Sequence, residues 1–186
     1  MYTKMKQKLM QKEIVIKENI ESKLEGKTLT IKGPKGELKR RFIYPGIKMS
    51  VKDNKIILSA ENATKREKTM IGTFTAHIKN MIKGVLEGFV YKLKICAGHF
   101  PMSVLVEGQK VLIKNFLGER VPRKARILPG AKVLVQGDII TVEGIDKEVV
   151  SQSASNIELA CRISNRDRRV FMDGVWLINK DGKNIK

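Results

Sequence analysis

The residue types that most often perform acid–base, nucleophilic or metal chemistry are scarce in this chain. Its 186 residues include two histidines, His77 and His99, and two cysteines, Cys96 and Cys161. His77 has helical spacing between apolar residues, which favours a packing or RNA-facing role over that of a base. His99 lies in a turn-like GHFP segment, where a loop hydrogen bond is the favoured role. The cysteines lack CxxC spacing and have apolar neighbours, which predicts buried reduced thiols of an intracellular protein. We predict no catalytic residue, no metal site and no cofactor.

Two short motifs are better explained by backbone geometry than by ligand binding. The segment GPKG at 33–36 lacks the glycine spacing and the Lys-Ser/Thr pair of a phosphate loop, and it predicts a turn between two strands. Asn62 or Thr64 precedes a helical pattern, and we expect one of them to cap that helix.

Positive charge is the strongest chemical signal in the composition. The chain has 37 Lys plus Arg against 19 Asp plus Glu, a formal net charge of +18. Such a charge attracts polyanions, and arginine supplies forked donors that suit phosphate oxygens. No apolar run approaches the roughly 18 residues that a membrane span needs. Nucleic acid is therefore the first candidate partner, and no recognition-helix or zinc-finger pattern favours sequence-specific DNA binding.

An internal duplication organises the elements that would carry these charges. Residues 25–37 and 107–119 share six of 13 residues at an offset of 82, and PGIKMSV at 45–51 faces PGAKVLV at 129–135 at an offset of 84. A long period with small insertions in the turns indicates two copies of one domain.

Each copy shows strands followed by one helix, which predicts an α+β fold in which the helix covers one face of an antiparallel-rich β-sheet. The first copy has predicted strands at 28–32, 37–42, 47–51 and 55–59 and a helix at about 63–83 that ends at Gly84. The second has predicted strands at 90–96, 103–107, 111–115, 131–136 and 139–143 and a helix at about 147–162. We assign residues 1–12 to a basic N-terminal arm, 13–86 and 87–182 to the two domains, and 183–186 to a basic tail.

Six segments together resemble a known family. They are LTIKGPKG at 29–36, NMIKGV at 80–85, GFVYK at 88–92, HFP at 99–101, IKNFLGE at 113–119 and RDRRVFMDGV at 166–175. In this order, spread from about residue 14 to 182, they resemble the universal large-subunit ribosomal protein family called L-six in bacteria and L-nine in eukaryotes, in its eukaryotic and archaeal form.

The resemblance implies two similar α+β domains and binding to large-subunit rRNA near the sarcin–ricin loop, with the second domain making most of the contact. It also implies neighbouring ribosomal proteins at the stalk base and translation GTPases docking nearby. The implied location is the cytoplasmic ribosome, with nucleolar assembly if the source is eukaryotic.

We therefore expect a structural, non-enzymatic rRNA-binding protein whose lysines and arginines neutralise phosphates. Phosphate or ribose contacts are predicted at Lys92, Lys94, Arg120, Arg123, Lys124, Arg126, Arg162, Arg166, Arg168, Arg169, Lys180 and Lys183. Phe171 and Trp176 are predicted to be core residues rather than stacking platforms. The alternatives are an RNA-modifying enzyme, a free RNA chaperone or assembly factor, and a protein of anionic membranes, and the last would need a basic amphipathic helix.

Overall fold

The computed structural model describes residues 7–16, 19–52, 54–167 and 169–185, which form two compact units divided between Glu87 and Gly88. Each unit contains one long helix and strands that pair antiparallel with their neighbours. The predicted α+β class and the predicted duplication are therefore confirmed. Each unit has two separate sheets, however, where the sequence led us to expect one.

The described residues of the first unit form six strands and one helix. They are β1 (Gln7–Val15), β2 (Glu21–Glu25), β3 (Thr28–Gly33), β4 (Gly36–Arg41), β5 (Ile47–Lys52), β6 (Lys55–Ala63) and α1 (Lys65–Leu86). One sheet has the order β2-β3-β4 and the other has the order β1-β6-β5. Helix α1 packs on strands of both sheets and buries an aliphatic face that includes Ile71, Ile78 and Val85.

The second unit repeats this plan and extends it. Its elements are β7 (Phe89–Cys96), β8 (Ser103–Glu107), β9 (Lys110–Lys114), a 3-10 turn (Phe116–Gly118), β10 (Arg123–Arg126), β11 (Ala131–Gln136), β12 (Ile139–Gly144), α2 (Lys147–Ala160), β13 (Gly174–Lys180) and β14 (Lys183–Asn184). The small sheet has the order β10-β9-β8, and the large sheet has the order β11-β12-β7-β13-β14.

The N-terminal arm and the C-terminal tail need correction. Residues 7–12, assigned to the arm, belong to β1, which pairs with β6 from Gln7 opposite Ala63 onward; residues 1–6 lie outside the described residues. In the tail, Lys183 and Asn184 form β14, which pairs with β13. The segment after α2, which has no counterpart in the first copy, thus adds two strands to the large sheet.

The start and end of α1 follow from local chemistry. Thr64 is its N-cap and forms a capping box, in which the Thr64 side chain accepts from Arg66 N at 3.3 Å and Glu67 accepts from Thr64 N at 2.8 Å. The predicted stop at Gly84 is wrong, because Gly84 is buried inside the helix and α1 continues to Leu86. Gly88, with φ of +74°, supplies the left-handed conformation just beyond the helix end.

The core of the second unit is mainly aliphatic, as the low aromatic content suggests. Phe171 packs against this core and is partly buried, in line with its prediction. The prediction for Trp176 is wrong, because this residue stands opposite Lys94 on the sheet face that points away from the core residue Leu93. The Trp176 indole donates to the carbonyl of Met172 at 3.0 Å.

Candidate nucleic-acid interface

Three irregular segments of the second unit converge at one place, and we call their described residues, 97–102, 115–122, 161–167 and 169–173, the loop cluster. Asn115 Nδ2 donates to the carbonyl of Pro101 at 2.8 Å, which joins the first two segments. The third segment is joined to the first through Asp173, which accepts from Gly98 N at 2.6 Å and from His99 N at 2.9 Å. These bonds hold backbone that no strand or helix supports.

Asp173 is the anchor of the loop cluster. Its side chain is 4% exposed, and its second oxygen lies 2.6 Å from His99 Nδ1. Burial opposes ionisation of this carboxyl, but the His99 N–H, the His99 ring and the Gly98 N–H together hold the pKa of Asp173 below its usual value. The expected loop hydrogen bond of His99 is present, and its partner is a residue 74 positions further along the chain.

The rings of His99 and Phe171 and the guanidinium of Arg166 form a series of contacts beside Asp173. The rings of His99 and Phe171 are stacked, with centroids 4.9 Å apart and planes inclined by 30°. The guanidinium carbon of Arg166 lies 4.9 Å from the Phe171 centroid, within the range of a cation–π contact. Arg166 is thereby oriented against the Phe171 ring, while the residue remains exposed.

Arg123 ties the loop cluster to the end of α2. It forms a two-pronged contact with Glu119 at 2.8 and 2.5 Å, and its Nη1 donates to the carbonyls of Ala160 and Arg162 at 3.0 and 2.9 Å. Its guanidinium carbon also lies 4.2 Å from the Phe116 centroid. Four of its five N–H groups are thus already used within the protein. A phosphate contact by Arg123 stays a prediction, but the geometry gives this residue a positioning role.

Glu119 is the carboxylate that pairs with Arg123 in this region. Its pKa is lowered by the hydrogen bonds from Arg123 and by the charges of Arg123 and Arg166, although its partial burial acts in the opposite direction. An ionised Glu119 therefore holds Arg123 through charged hydrogen bonds, and the charge of Arg166 also favours its ionised form.

The predicted contact residues fall into three groups. The loop cluster contains Arg120, Arg162, Arg166 and Arg169, which are exposed, while Arg168 lies outside the described residues. Lys124 and Arg126 lie on β10, and Lys92 and Lys94 lie on β7, in each case on the face away from the buried residues. Lys180 and Lys183 face each other across the β13–β14 hairpin.

The small sheet shows two candidates that the sequence analysis missed. Pairing of β9 with β10 places Lys124 opposite Leu112 and Arg126 opposite Lys110, and Lys114 lies further along the outer side of β9. We call Lys110, Lys114, Lys124 and Arg126 the basic sheet face. The alternation of Lys110, Leu112 and Lys114 with the buried Val111 and Ile113 was the signal that could have found both lysines.

The cations on these outer faces form no ion pair with the part of the chain that the structure describes. Lys92, Lys94, Lys110, Lys114, Lys124 and Arg126 are exposed, and none forms an ion pair with any residue that the structure describes. This holds even though Glu107 stands opposite Lys110 and Glu143 lies on the outer face of the large sheet.

Three lysines on the equivalent faces of the first unit are paired with carboxylates. Lys39 pairs with Glu37 at 3.0 Å on β4, Lys48 pairs with Glu61 at 2.8 Å, and Lys55 pairs with Glu13 at 3.4 Å. Such exposed pairs add little stability, but each places a carboxylate where an RNA phosphate would otherwise approach. The cations on the outer sheet faces of the second unit have no such carboxylate partners among the described residues.

Three further observations concern metal ligands, the two thiols and membrane spans. Among the described residues no group of three His, Cys, Asp or Glu side chains is placed to hold a metal ion. Both cysteines are free, but only Cys161 is buried, so the prediction of a buried thiol is wrong for Cys96, which ends β7 half-exposed. Burial raises the pKa of the Cys161 thiol to about 11. Within the described ranges, no helix has the length and apolarity to cross a membrane.

The fold and these surfaces define a duplicated α+β protein with an unpaired basic face on its second copy. The family model described as ribosomal protein L6 matches twice, at residues 16–88 and 100–174. The chain belongs to the ribosomal protein L6 family, as the resemblance indicated.

Three archaeal relatives extend this similarity over nearly the whole chain. The large ribosomal subunit protein uL6 of Methanobrevibacter smithii is 46% identical over 172 residues, covering 92% of this chain and 97% of the relative. The protein of the same name from Methanosarcina mazei is 47% identical over 167 residues, covering 90% and 95%. That from Aeropyrum pernix is 44% identical over 169 residues, covering 90% and 93%.

Proposed function

We propose that this protein is a structural constituent of the large ribosomal subunit and binds its rRNA. The observation that carries this proposal is the similarity of 44–47% identity to three proteins named large ribosomal subunit protein uL6, over at least 90% of this chain. The ribosome is the corresponding location, other large-subunit proteins are the expected neighbours, and the role is structural rather than enzymatic.

The geometry supports a mechanism based on phosphate neutralisation. The basic sheet face and the arginines of the loop cluster place many exposed cations on the second unit, of which Arg169 pairs with Asp167 at 3.3 Å. Each cation that contacts a phosphate releases condensed counterions, which favours binding at low salt. Most of these side chains extend from strands and fixed loops, which suits recognition of folded RNA by its shape and backbone.

The finer location follows from the family resemblance. On this proposal the second unit, residues 87–182, makes the main rRNA contact near the sarcin–ricin loop, beside the stalk base and the docking site of translation GTPases. Its position on cytoplasmic ribosomes would stabilise the rRNA against which those factors dock.

The test is sedimentation of the tagged protein in sucrose gradients of cell lysate, at low salt and again after a high-salt wash. We expect stoichiometric co-migration with large subunits through the wash. Protein found only in light fractions or on immature particles would contradict the proposal and favour a free assembly factor or an RNA-modifying enzyme.

A further inference from the structure

The loop cluster exposes aromatic rings that the fold itself does not need on its surface. Phe100 is 46% exposed, and the His99 side chain is 40% exposed. Phosphate neutralisation uses neither ring, so these two side chains are unexplained by an interface made of cations alone. Aromatic rings exposed among arginines are characteristic of surfaces that bind unstacked bases.

The rings are held in place before any ligand arrives. His99 is fixed by its bond to Asp173 and by its stack on Phe171. Phe100 lies against Gly118, where a Cβ atom would come within 3.6 Å of the ring. A side chain that is already ordered loses little conformational entropy on binding, so such rings contribute efficiently to affinity.

The charges around the rings identify the ligand. Exposed arginines at 162, 166 and 169 border the same cluster, and Arg166 is oriented by its contact with Phe171. A nucleotide matches this combination, because its base has a flat apolar face and its phosphate carries negative charge. Arg169 already pairs with Asp167 at 3.3 Å, so an apolar segment of a protein partner would match the rings but bring no negative charge to Arg162 and Arg166.

We propose that the loop cluster binds an unpaired RNA base, which stacks on the rings of Phe100 and His99 while the neighbouring arginines hold its phosphates. This inference rests on the proposed rRNA binding and deepens it, since it adds a base contact to a surface otherwise explained by backbone contacts. The ligand is a nucleotide in a loop, bulge or end of the rRNA and not one within a continuous helix.

The experiment measures binding of the purified full chain to deproteinised large-subunit rRNA at several salt concentrations. Phe100→Leu and Phe100→Met keep an apolar side chain over Gly118 but remove the ring, and we expect each to weaken binding about tenfold. The slope of log affinity against log salt should not change, because no phosphate contact is lost. Phe100→Tyr keeps the ring and should bind as the parent protein does.

Leu134→Ala is the matched control, because Leu134 is 52% exposed on β11 and lies outside the loop cluster. It should bind rRNA normally. Weak binding by Leu134→Ala that equals that of Phe100→Leu, or normal binding by both ring-deletion variants, would overturn the base-stacking proposal while leaving rRNA binding intact. Failure of the parent protein to bind rRNA would instead contradict the proposed function itself.

A footprint provides a second readout that does not depend on the stability of the variants. Base-specific chemical probing of the rRNA should show at least one unpaired nucleotide that the parent protein and Phe100→Tyr protect. That protection should be lost with Phe100→Leu at protein concentrations that saturate the RNA. A footprint confined to the RNA backbone would overturn the proposal.

Discussion

At the scale of single residues, Asp173 combines burial with charge and therefore links folding to pH. Its carboxylate accepts two backbone N–H bonds and one bond from the His99 ring. Because these contacts lower its pKa in the folded protein below the ordinary value of 3.8, folding is favoured when the group is ionised. That contribution is complete above the unfolded-state pKa and is lost as the pH falls through the folded-state pKa.

We expect Asp173→Asn to lower the free energy of unfolding at pH 7 by about 1–3 kcal/mol, the usual worth of a hydrogen bond to a charged group. The difference from the parent protein should shrink as the pH is lowered below 3.8. Urea unfolding of both proteins at pH 7, 5, 4 and 3 measures this difference in the free energy of unfolding. Asp138→Asn, at an exposed turn between β11 and β12, is the control and should show no such trend. An unchanging difference across this range would contradict the assignment.

Glu119 allows a test in which electrostatics and positioning predict opposite signs. Removing a carboxylate from an RNA-binding surface should strengthen binding if only net charge matters. If Glu119 acts by holding Arg123 in its contact with the end of α2, its removal should weaken binding. We expect Glu119→Ala to lower rRNA affinity about fivefold, the equivalent of losing one net hydrogen bond of about 1 kcal/mol.

Glu107→Ala adds the same charge at a carboxylate that forms no ion pair with any described residue, and it should bind rRNA at least as tightly as the parent. Filter binding at one fixed salt concentration compares the two variants. If Glu119→Ala bound as tightly as Glu107→Ala, the positioning role of the contact between Glu119 and Arg123 would be wrong.

At the scale of elements, the β3–β4 turn is fastened to the end of α1. Lys35 N donates to the carbonyl of Val85 at 3.0 Å, and the Lys35 ammonium donates to the carbonyl of Glu87. A cation at this position also complements the negative end of the helix dipole. The GPKG segment is therefore a docking turn, which agrees with the predicted turn and explains why Gly33 and Lys35 are used there.

Gly33→Ala should destabilise the protein, because a Cβ at this position would lie 2.8 Å from Val85 Cγ2 and 3.0 Å from the Val85 carbonyl oxygen. We expect a loss of about 1–3 kcal/mol, as for other overpacked sites. Gly72→Ala is the matched control, since no atom lies within 4 Å of its Cβ position in α1. Alanine should stabilise the helix there by about 0.5–1 kcal/mol. Urea unfolding of both variants is the measurement, and equal effects would refute the proposed close packing.

How far the sequence predicts these elements depends on how regular their side-chain patterns are. Strands with clear alternation, such as β3 and β9, and both helices could be located from the sequence, although α1 ends later than Gly84. Strand β1 was missed because its lysines and glutamines are typical of a solvated arm. It nevertheless starts 82 residues before β7, which is the offset of the duplication. Strand β2 precedes β8 by the same interval, so the repeat itself could have predicted both strands.

The loop cluster shows the limit of this approach. The sequence shows arginines and a histidine in separate segments, but it does not show that Asp173 and His99, 74 residues apart, form a contact. Nor does it show which arginine faces inward, because Arg123 lies in the same basic run as the exposed Lys124 and Arg126. Such contacts are set by the convergence of loops, and single-sequence periodicity carries no information about it.

At the scale of the whole molecule, net charge and available charge differ between the two units. Residues 1–87 carry 20 basic and 9 acidic side chains, and residues 88–186 carry 17 and 10, so the first unit has the larger positive excess. Yet the outer sheet faces of the first unit carry three ion pairs, while the corresponding cations of the second unit have none among the described residues. If net charge determines rRNA affinity, the first unit should contribute more to binding. If unpaired charge on a rigid sheet face determines it, the second unit should contribute more.

The duplication supplies a matched pair of variants for this question. Lys124 and Arg126 on β10 occupy the positions that Lys39 and Arg41 occupy on β4, in each case on the outer face of a three-stranded sheet.

We expect Lys124→Gln with Arg126→Gln to lower the slope of log rRNA affinity against log salt by about 1.5, corresponding to two lost phosphate contacts. Lys39→Gln with Arg41→Gln removes the same formal charge and should change the slope by about half as much, since Glu37 already pairs with Lys39 and only Arg41 is without an ion pair among the described residues. Both slopes come from filter binding of the full chain between about 50 and 200 mM salt. An equal change in slope for the two variant pairs would mean that rRNA binding depends on total charge. That result would contradict the proposal that the second unit is the main binding surface.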